Sequence, residues 1–398
     1  MNRMMASERK LYILMLAPTP YFSDRGCHVR IYEEAKSLMQ RGHQVRIVSY
    51  HLGRDLAPVA VDRSVAIPWY TKREAGPSWH KLYLDLLLFC RALKTARQFR
   101  PDLLHAHLHE GVVVGWLLAR WLGIPLLFDY QGSLSGESLQ HGFFRSGSLL
   151  HRLFRFLERR IDRLADAVVT SSSAGSDELI QTWGVTTERV TALPDGVDIN
   201  VFHHLSKQQA RMRLGLDEQV PVIVYLGLLN RYQGADLLLE AAKLLIQKGR
   251  MFHLLMMGFP EEQYRQRALD LHIDGFVSFT GKVEYADAPL FLSAGDIAVS
   301  PKISSTEANG KLLNYMACGL PVVAFDTPVN RELVGDDGIY ARLGDVDDLA
   351  RCLTEALSDR ERLRLLGRRM RERALAVHSW DMRVVQLESV YLRMLDCK

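Results

Sequence analysis

Two stretches of the chain concentrate side chains that could do chemistry. In the first, residues 300–325, a strand-like run ends at Ser300, a polar loop follows, and Gly310-Lys311 opens a helical segment over 312–317. Gly319 stops that segment, and Pro321 leads into another apolar run. Unpaired N–H groups at a helix N-terminus, a glycine that admits close approach and a lysine beside it suit a diphosphate. The same residues also read as a plain turn with a solvated lysine, and local physics leaves both open. The second stretch is His105-Ala106-His107-Leu108-His109-Glu110. Alternation puts the histidines on one face of a strand, and with a carboxylate they look like metal ligands. Ligands along one flat strand converge poorly, however, and no other His/Cys cluster supplies a partner. No metal site is expected, and His105 reads as a buried, hydrogen-bonded core residue.

Asp129 closes the apolar run Leu127-Phe128-Asp129. A carboxylate there reads as a hydrogen-bond partner for a hydroxyl or as a proton acceptor. The alternative is a cap for the loop at 132–135. Gly26, in Asp24-Arg25-Gly26-Cys27-His28-Val29-Arg30, would let backbone amides approach an anionic ligand. Arg25 and Arg30 read either as ligands of an anion or as surface charges. Neither a dinucleotide fingerprint nor a P-loop pattern is present.

The elements that must position these residues alternate along the chain. Strand-like runs fall at 11–17, 45–49, 103–106, 125–128, 167–170 and 190–193, with helical patterns between several of them. A second series has runs at 222–226, 252–257, 277–280, 297–300 and 322–325. Strands alternating with helices imply right-handed βαβ units and mostly parallel sheets. The fold class expected is α/β, with two Rossmann-like doubly wound domains facing a cleft. Ligands of such sheets sit outside the carboxyl ends of the strands.

Composition bounds the rest. The 398 residues are 48% hydrophobic and 24% charged, which excludes a disordered or fibrous chain. Fifty basic against 46 acidic residues leave a net charge of +4, too diffuse to call for nucleic acid. The 5 cysteines are odd in number and scattered, which suits a reducing, cytoplasmic setting rather than a disulfide framework. The apolar run at 11–17 is too short for a signal peptide with its cleavage site, and no stretch is long enough to span a membrane. Two segments, 79–100 and 149–164, are basic and amphipathic. In the first, Leu82, Leu86, Phe89 and Leu93 share a face; in the second, Leu150, Phe154, Leu157, Ile161 and Leu164 do. Such faces lie on anionic lipid or pack against a sheet. The basic stretch 360–373 reads as a solvated helix face.

Several of these segments, taken in chain order, resemble the retaining glycosyltransferases of family 4, which have the two-domain GT-B fold. Met316-Ala317-Cys318-Gly319-Leu320-Pro321-Val322-Val323 is similar to the tail of the family's hallmark motif. Arg41-Gly42-His43-Gln44-Val45, Ala165-Asp166, Pro194-Asp195-Gly196-Val197-Asp198, Leu226-Gly227 and Ser379-Trp380-Asp381 resemble other family landmarks. The resemblance implies an N-terminal acceptor-side domain over 1–198, completed by 379–398, and a nucleotide-sugar-binding domain over 199–378. It implies transfer of a sugar from a nucleotide-diphosphate sugar to a hydroxyl acceptor, with no metal or other cofactor. Because many relatives modify lipid-linked acceptors, it adds a peripheral membrane contact at the inner face.

Carried over residue by residue, it gives Gly26, Arg231, Glu307, Asn309, Gly310, Lys311 and Asn314 as donor-binding residues, with Asp129 and His107 at the reacting centre. His109 shares with His107 the expectation of contacting sugar or acceptor. The chain departs from the family where Asn314 replaces the second hallmark Glu and Thr306 the first, with Glu307 adjacent. The family's basic pair falls on Leu228 and Gln233, leaving Arg231 and Lys311 to neutralise the diphosphate. These departures admit an alternative: a non-catalytic GT-B module that binds a nucleotide sugar or partners another transferase.

Overall fold

A computed structural model describes residues 9–23, 26–72, 78–140, 143–304 and 307–396. Arg25, Thr306 and Cys397 lie outside these described residues. The chain forms two compact units. One comprises Met1–Asp195, Thr306–Ala308 and Trp380–Lys398; the other comprises Gly196–Ser305 and Asn309–Ser379.

The first unit is built on seven strands: β1 (Tyr12–Ala17), β2 (Gln44–Ser49), β3 (Ala60–Arg63), β4 (Leu103–His107), β5 (Leu126–Tyr130), β6 (Ala167–Thr170) and β7 (Val190–Ala192). They pair in parallel in the order β3-β2-β1-β4-β5-β6-β7. A parallel sheet carries helices on both faces, so its inner strands are apolar on both sides. In β1, Ile13, Met15 and Ala17 enter one buried cluster, whereas Leu14 and Leu16 enter the other. The helices that matter here are α1 (Gly26–Gln40), α2 (Lys81–Phe99), α3 (Leu108–Leu122), α4 (Leu134–Gln140) and α5 (Leu149–Ile161). The helix Trp380–Asp396 also belongs to this unit. It inserts Val384, Leu387, Val390 and Tyr391 among the β1 face residues. Its Glu388 accepts hydrogen bonds from Arg41 (2.6 Å) and His43 (2.7 Å).

The second unit has β8 (Val222–Leu226), β9 (His253–Met257), β10 (Val277–Gly281), β11 (Ile297–Ser300), β12 (Val322–Phe325) and β13 (Ile339–Ala341). Their order is β10-β9-β8-β11-β12-β13, again parallel. In both units the chain reverses direction across the sheet beside its first strand, at β1/β4 and at β8/β11. Those are the switch points at which doubly wound sheets open a crevice.

One of the two amphipathic readings changes phase in the structure. On α2 the buried face is Leu84, Leu88, Ala92 and Ala96, while Leu82 and Leu86 are exposed. A helix of mostly Leu in its first half offers more than one apolar stripe, and packing on the sheet selects one of them. On α5 the expected stripe largely holds: Leu150, Phe154 and Ile161 are half-buried and Leu157 is exposed, with Leu149, Leu153 and Phe156 also exposed.

Candidate functional site

In the second unit the β8/β11 switch point gathers most of the donor-side candidates. The chain leaves β8 at Gly227, whose φ of +147° favours glycine. A Cβ on Gly227 would sit 2.7 Å from Lys311 Nζ. Lys311 is the first residue of the helix Lys311–Ala317, directly after Gly310. Its Nζ donates a 2.7 Å hydrogen bond to Gln233 Oε1 and lies 4.6 Å from the centre of the Tyr225 ring. Among the described residues Lys311 has no ion-pair partner. Burial, with a smaller push from Lys302, brings its ammonium down to about 7. Tyr315, one turn further on, donates to the carbonyl of Leu226 and accepts from its N–H, fastening the helix to the end of β8.

The loop after β11 lies against the loop after β8. A Cβ on Gly234, at φ +74°, would run into the Pro301 carbonyl. Ile303 N–H bonds to Tyr232 O at 3.2 Å, and Lys302 is buried with its ammonium 5.4 Å from the Tyr232 ring centre. Lys302 was missed by sequence reasoning. Its position two residues past a strand's carboxyl end was the available signal. Asn309 is buried and braces the loop, its Nδ2 donating to Ser300 Oγ (3.0 Å) and Asn330 Oδ1 (2.9 Å). Asn314 and Glu307 are half-buried, and Arg231 is exposed in the loop after β8. Two cations and a helix N-terminus thus line one switch point, an arrangement that stabilises a bound or departing anion.

In the first unit Asp129 and His107 are register partners at the carboxyl ends of β5 and β4. Both are fully buried, and His107 Nδ1 lies 2.9 Å from Asp129 Oδ2. Arg30, from α1, reaches the same carboxylate at 3.0 and 3.1 Å through Nε, and Gln131 Nε2 bonds to it at 2.6 Å. The guanidinium also pairs with Glu34 (3.1 Å) and Asp195 (2.8 Å). Burial alone would raise Asp129, but Arg30 and His107 outweigh it and hold the carboxyl well below its usual range. Arg30 is therefore neither an exposed anion ligand nor a surface charge; three carboxylates enclose it. His105 bonds to Tyr391 Oη at 2.8 Å, and burial keeps it low and neutral.

His109 departs from the expectation that it contacts sugar. It is buried between the rings of Phe128 and Tyr130 and lies 3.1 Å from Asp162. It is carried by α3 rather than by the strand, so the alternation that would align it with His107 ends at Leu108. Gly26 is exposed at the start of α1, where a Cβ would meet nothing within 4 Å.

Residues 25–196 match the family described as glycosyl transferase 4-like domain, and residues 220–359 match glycosyl transferases group 1. The chain belongs to the family 4 type of glycosyltransferases. This glycosyltransferase is 28% identical over 396 residues to the D-inositol 3-phosphate glycosyltransferase of Thermobispora bispora, covering 93% of this chain and 90% of that enzyme. It is 25% identical over 378 residues to the sulfoquinovosyl transferase SQD2 of Arabidopsis thaliana, with 92% and 70% covered. In fold it is similar to sucrose-phosphate synthase from Thermosynechococcus elongatus, at TM-score 0.81 and 19% identity over 97% of this chain and 99% of that one. Anabaena HepE, crystallised with UDP and glucose, superposes at TM-score 0.78 with 20% identity over 96% and 99%. These likenesses fix the GT-B class of fold. They also fix the general activity, transfer of a sugar from a nucleotide sugar to an acceptor.

Proposed function

We propose that this glycosyltransferase moves a hexose from a nucleoside-diphosphate donor, of the uridine type found with HepE, to a hydroxyl acceptor with retention at the anomeric carbon and without a catalytic metal. The observation that carries the reading is Lys311, a cation without an ion-pair partner among the described residues, enclosed at the β8/β11 switch point beside Gly227 and Gly310. Gly310, Lys311 and Arg231 neutralise the diphosphate, with Lys302 as a further cation. Asn314 takes the ribose hydroxyls, Glu307 the sugar, and Asn309 holds the loop in shape. As the C–O bond to the diphosphate breaks, charge builds on the leaving oxygen. Lys311 and the helix N–H groups stabilise it, and that oxygen takes the acceptor's hydroxyl proton on the same face of the sugar.

We assign His107 to the transferred sugar: its Nδ1 is held by Asp129, and its Nε2 has no hydrogen-bond partner among the described residues. Asp129 then orients rather than abstracts, because Arg30, His107 and Gln131 already occupy its oxygens. Gly26, where a Cβ would meet nothing within 4 Å, would admit the donor close to the backbone.

The acceptor is lipid-linked or a surface-polysaccharide precursor, reached from the cytoplasmic side of the membrane. Support comes from the exposed apolar and basic residues of α2, α3 and α5 in the first unit. Four unbridged cysteines among the described residues suit the cytoplasm, and no described helix is long and apolar enough to cross a membrane.

A thermal-shift screen against UDP, GDP, ADP, CMP and dTDP and their sugar conjugates, each against its own EDTA baseline, tests the donor site. One nucleoside diphosphate should raise the melting point equally with and without EDTA. Its sugar conjugate should then be consumed with acceptor, giving by NMR a product of the donor's anomeric configuration. Inversion would overturn retention, and binding without donor breakdown would favour the non-catalytic module.

A further inference from the structure

Apart from the Arg30 network, one other group of buried titratable side chains stands out in the first unit. His109 lies in the first turn of α3, Glu158 in the last turn of α5, and Asp162 just beyond α5. Their exposures are 5%, 0% and 0%. His109 Nε2 lies 3.1 Å from Asp162 Oδ1 and 3.8 Å from Glu158 Oε1. One donor atom from each residue fits within 4.8 Å of the other two.

The arrangement is a poor hydrogen-bonded pair. Despite the 3.1 Å approach, His109 Nε2 and both oxygens of Asp162 make no well-directed hydrogen bond among the described residues. It is a better coordination shell. Around a tetrahedral zinc ion with bonds of about 2.0–2.2 Å, neighbouring ligand atoms lie about 3.3–3.6 Å apart. The two separations bracket that edge. The imidazole is also held in place for the task, its ring edge-on between Phe128 at 5.3 Å and Tyr130 at 5.7 Å.

The local charge points the same way. Three carboxylates, Glu158, Asp162 and Glu178, act on one another here, and Tyr130 Oη lies 3.4 Å from Glu178. Facing them are His109 and Arg163, so negative charge is in excess. The Glu34–His105–His107–Asp129 group also clusters donor atoms, but Arg30 already supplies the cation there.

We propose that His109 Nε2, the Asp162 carboxylate and Glu158 Oε1 bind a divalent transition cation, zinc by this donor set, as a structural pin between α3 and α5. One imidazole nitrogen and two carboxylate oxygens are zinc ligands, and water completes the shell. Glu158 also accepts the N–H groups of Leu134 (2.8 Å) and Ser135 (3.0 Å), so the ion would tie the start of α4 to the same point. The site does not rest on the transfer reaction, and no step of that reaction passes through it.

The full chain, purified without a histidine tag or chelator, would be incubated with zinc chloride, desalted and analysed by mass spectrometry for metal. About one zinc per chain should be retained, EDTA should lower the melting temperature by several degrees, and zinc should restore it. His109→Gln and Asp162→Asn should each retain less than about a tenth of that zinc and melt at a temperature indifferent to EDTA. A wild-type protein that keeps no zinc and melts identically with zinc or EDTA overturns the proposal; so does stoichiometric zinc in His109→Gln. If the variants do not fold, cobalt substitution of the wild type decides. Visible bands of a tetrahedral site without thiolate absorption support the His/Asp/Glu set, and a thiolate band refutes it.

Discussion

A lysine whose ammonium end is enclosed between a tyrosine ring and a glycine backbone keeps its charge poorly until an anion arrives. With Lys311 brought down to about 7 by burial, most free enzyme carries it neutral at pH 8. A bound diphosphate restores the charge, so binding at pH 8 should take up close to one proton, and uptake should shrink as the pH falls below 7. The same linkage makes diphosphate affinity fall above pH 7, by at most about tenfold per pH unit. Calorimetry in buffers of different ionisation enthalpy reads the uptake directly. Lys311→Met should show none and lose at least about tenfold in turnover while remaining folded. Uptake unchanged in that variant would remove Lys311 from the diphosphate site. This lysine was legible in the sequence because its signal is local, a glycine before it and a helix after it, although its partner Gln233 lies 78 positions away. Arg30 was not. Its pairing with Glu34 is a visible i,i+4 spacing, but Asp129 and Asp195 lie 99 and 165 positions away. Nothing in a helical pattern marks which arginine will be buried against them.

At the scale of elements, the central strands were legible because a parallel sheet buried on both faces writes each of them as an unbroken apolar run. Of the four edge strands, β7 and β10 were legible as short runs, whereas β3 and β13 were not. β3 (Ala-Val-Asp-Arg) is nowhere fully buried, and β13 is buried only at Ala341. Helix phase was equally hidden on α2, where leucines at many positions allow more than one packed face. The proposed donor site depends on a contact between two strand ends that leaves no local trace. A Cβ on Gly258, just past β9, would run into the Gly227 carbonyl, the residue that also faces Lys311. Backbone cannot swing aside as a side chain can, so Gly258→Ala should cost about 1–3 kcal/mol by urea denaturation. Because the displaced segment is the loop after β8, its KM for donor should rise while the acceptor KM holds. An alanine variant with wild-type stability and donor KM would show that the two loops do not constrain one another.

At the scale of the molecule, exposed large apolar side chains are unevenly distributed. In the first unit Trp79, Leu82, Leu86, Leu117, Trp121, Leu149, Leu153 and Phe156 are all at least 49% exposed, and all fall on or just before α2, α3 and α5. These segments adjoin: the Trp79 ring meets Phe143 at 5.4 Å, and Phe143 meets Phe154 of α5 at 6.0 Å. Arginines are interspersed, Arg152, Arg155, Arg159 and Arg160 on α5, with Arg97 over the Trp121 ring and Arg160 over Phe156. Monomeric proteins rarely leave so large an apolar patch open without a use for it. The proposed membrane contact would set this surface on anionic lipid, the apolar groups entering the headgroup boundary and the arginines meeting phosphate. Full burial of a Leu or Phe side chain is worth about 1.5–3 kcal/mol, and shallow insertion captures part of it. Leu153→Ser with Phe156→Ser should therefore weaken binding to vesicles of phosphatidylglycerol and phosphatidylcholine by at least about tenfold. Half-molar salt should release the wild type, since the Debye length falls to roughly 4 Å and the phosphate contacts are screened. Leu365→Ser, which changes an exposed leucine of the second unit (41% exposed), should bind as wild type does. Cosedimentation reads all three. Equal binding to pure phosphatidylcholine would make the arginines incidental, and equal binding by the double-serine variant would move the contact off α5.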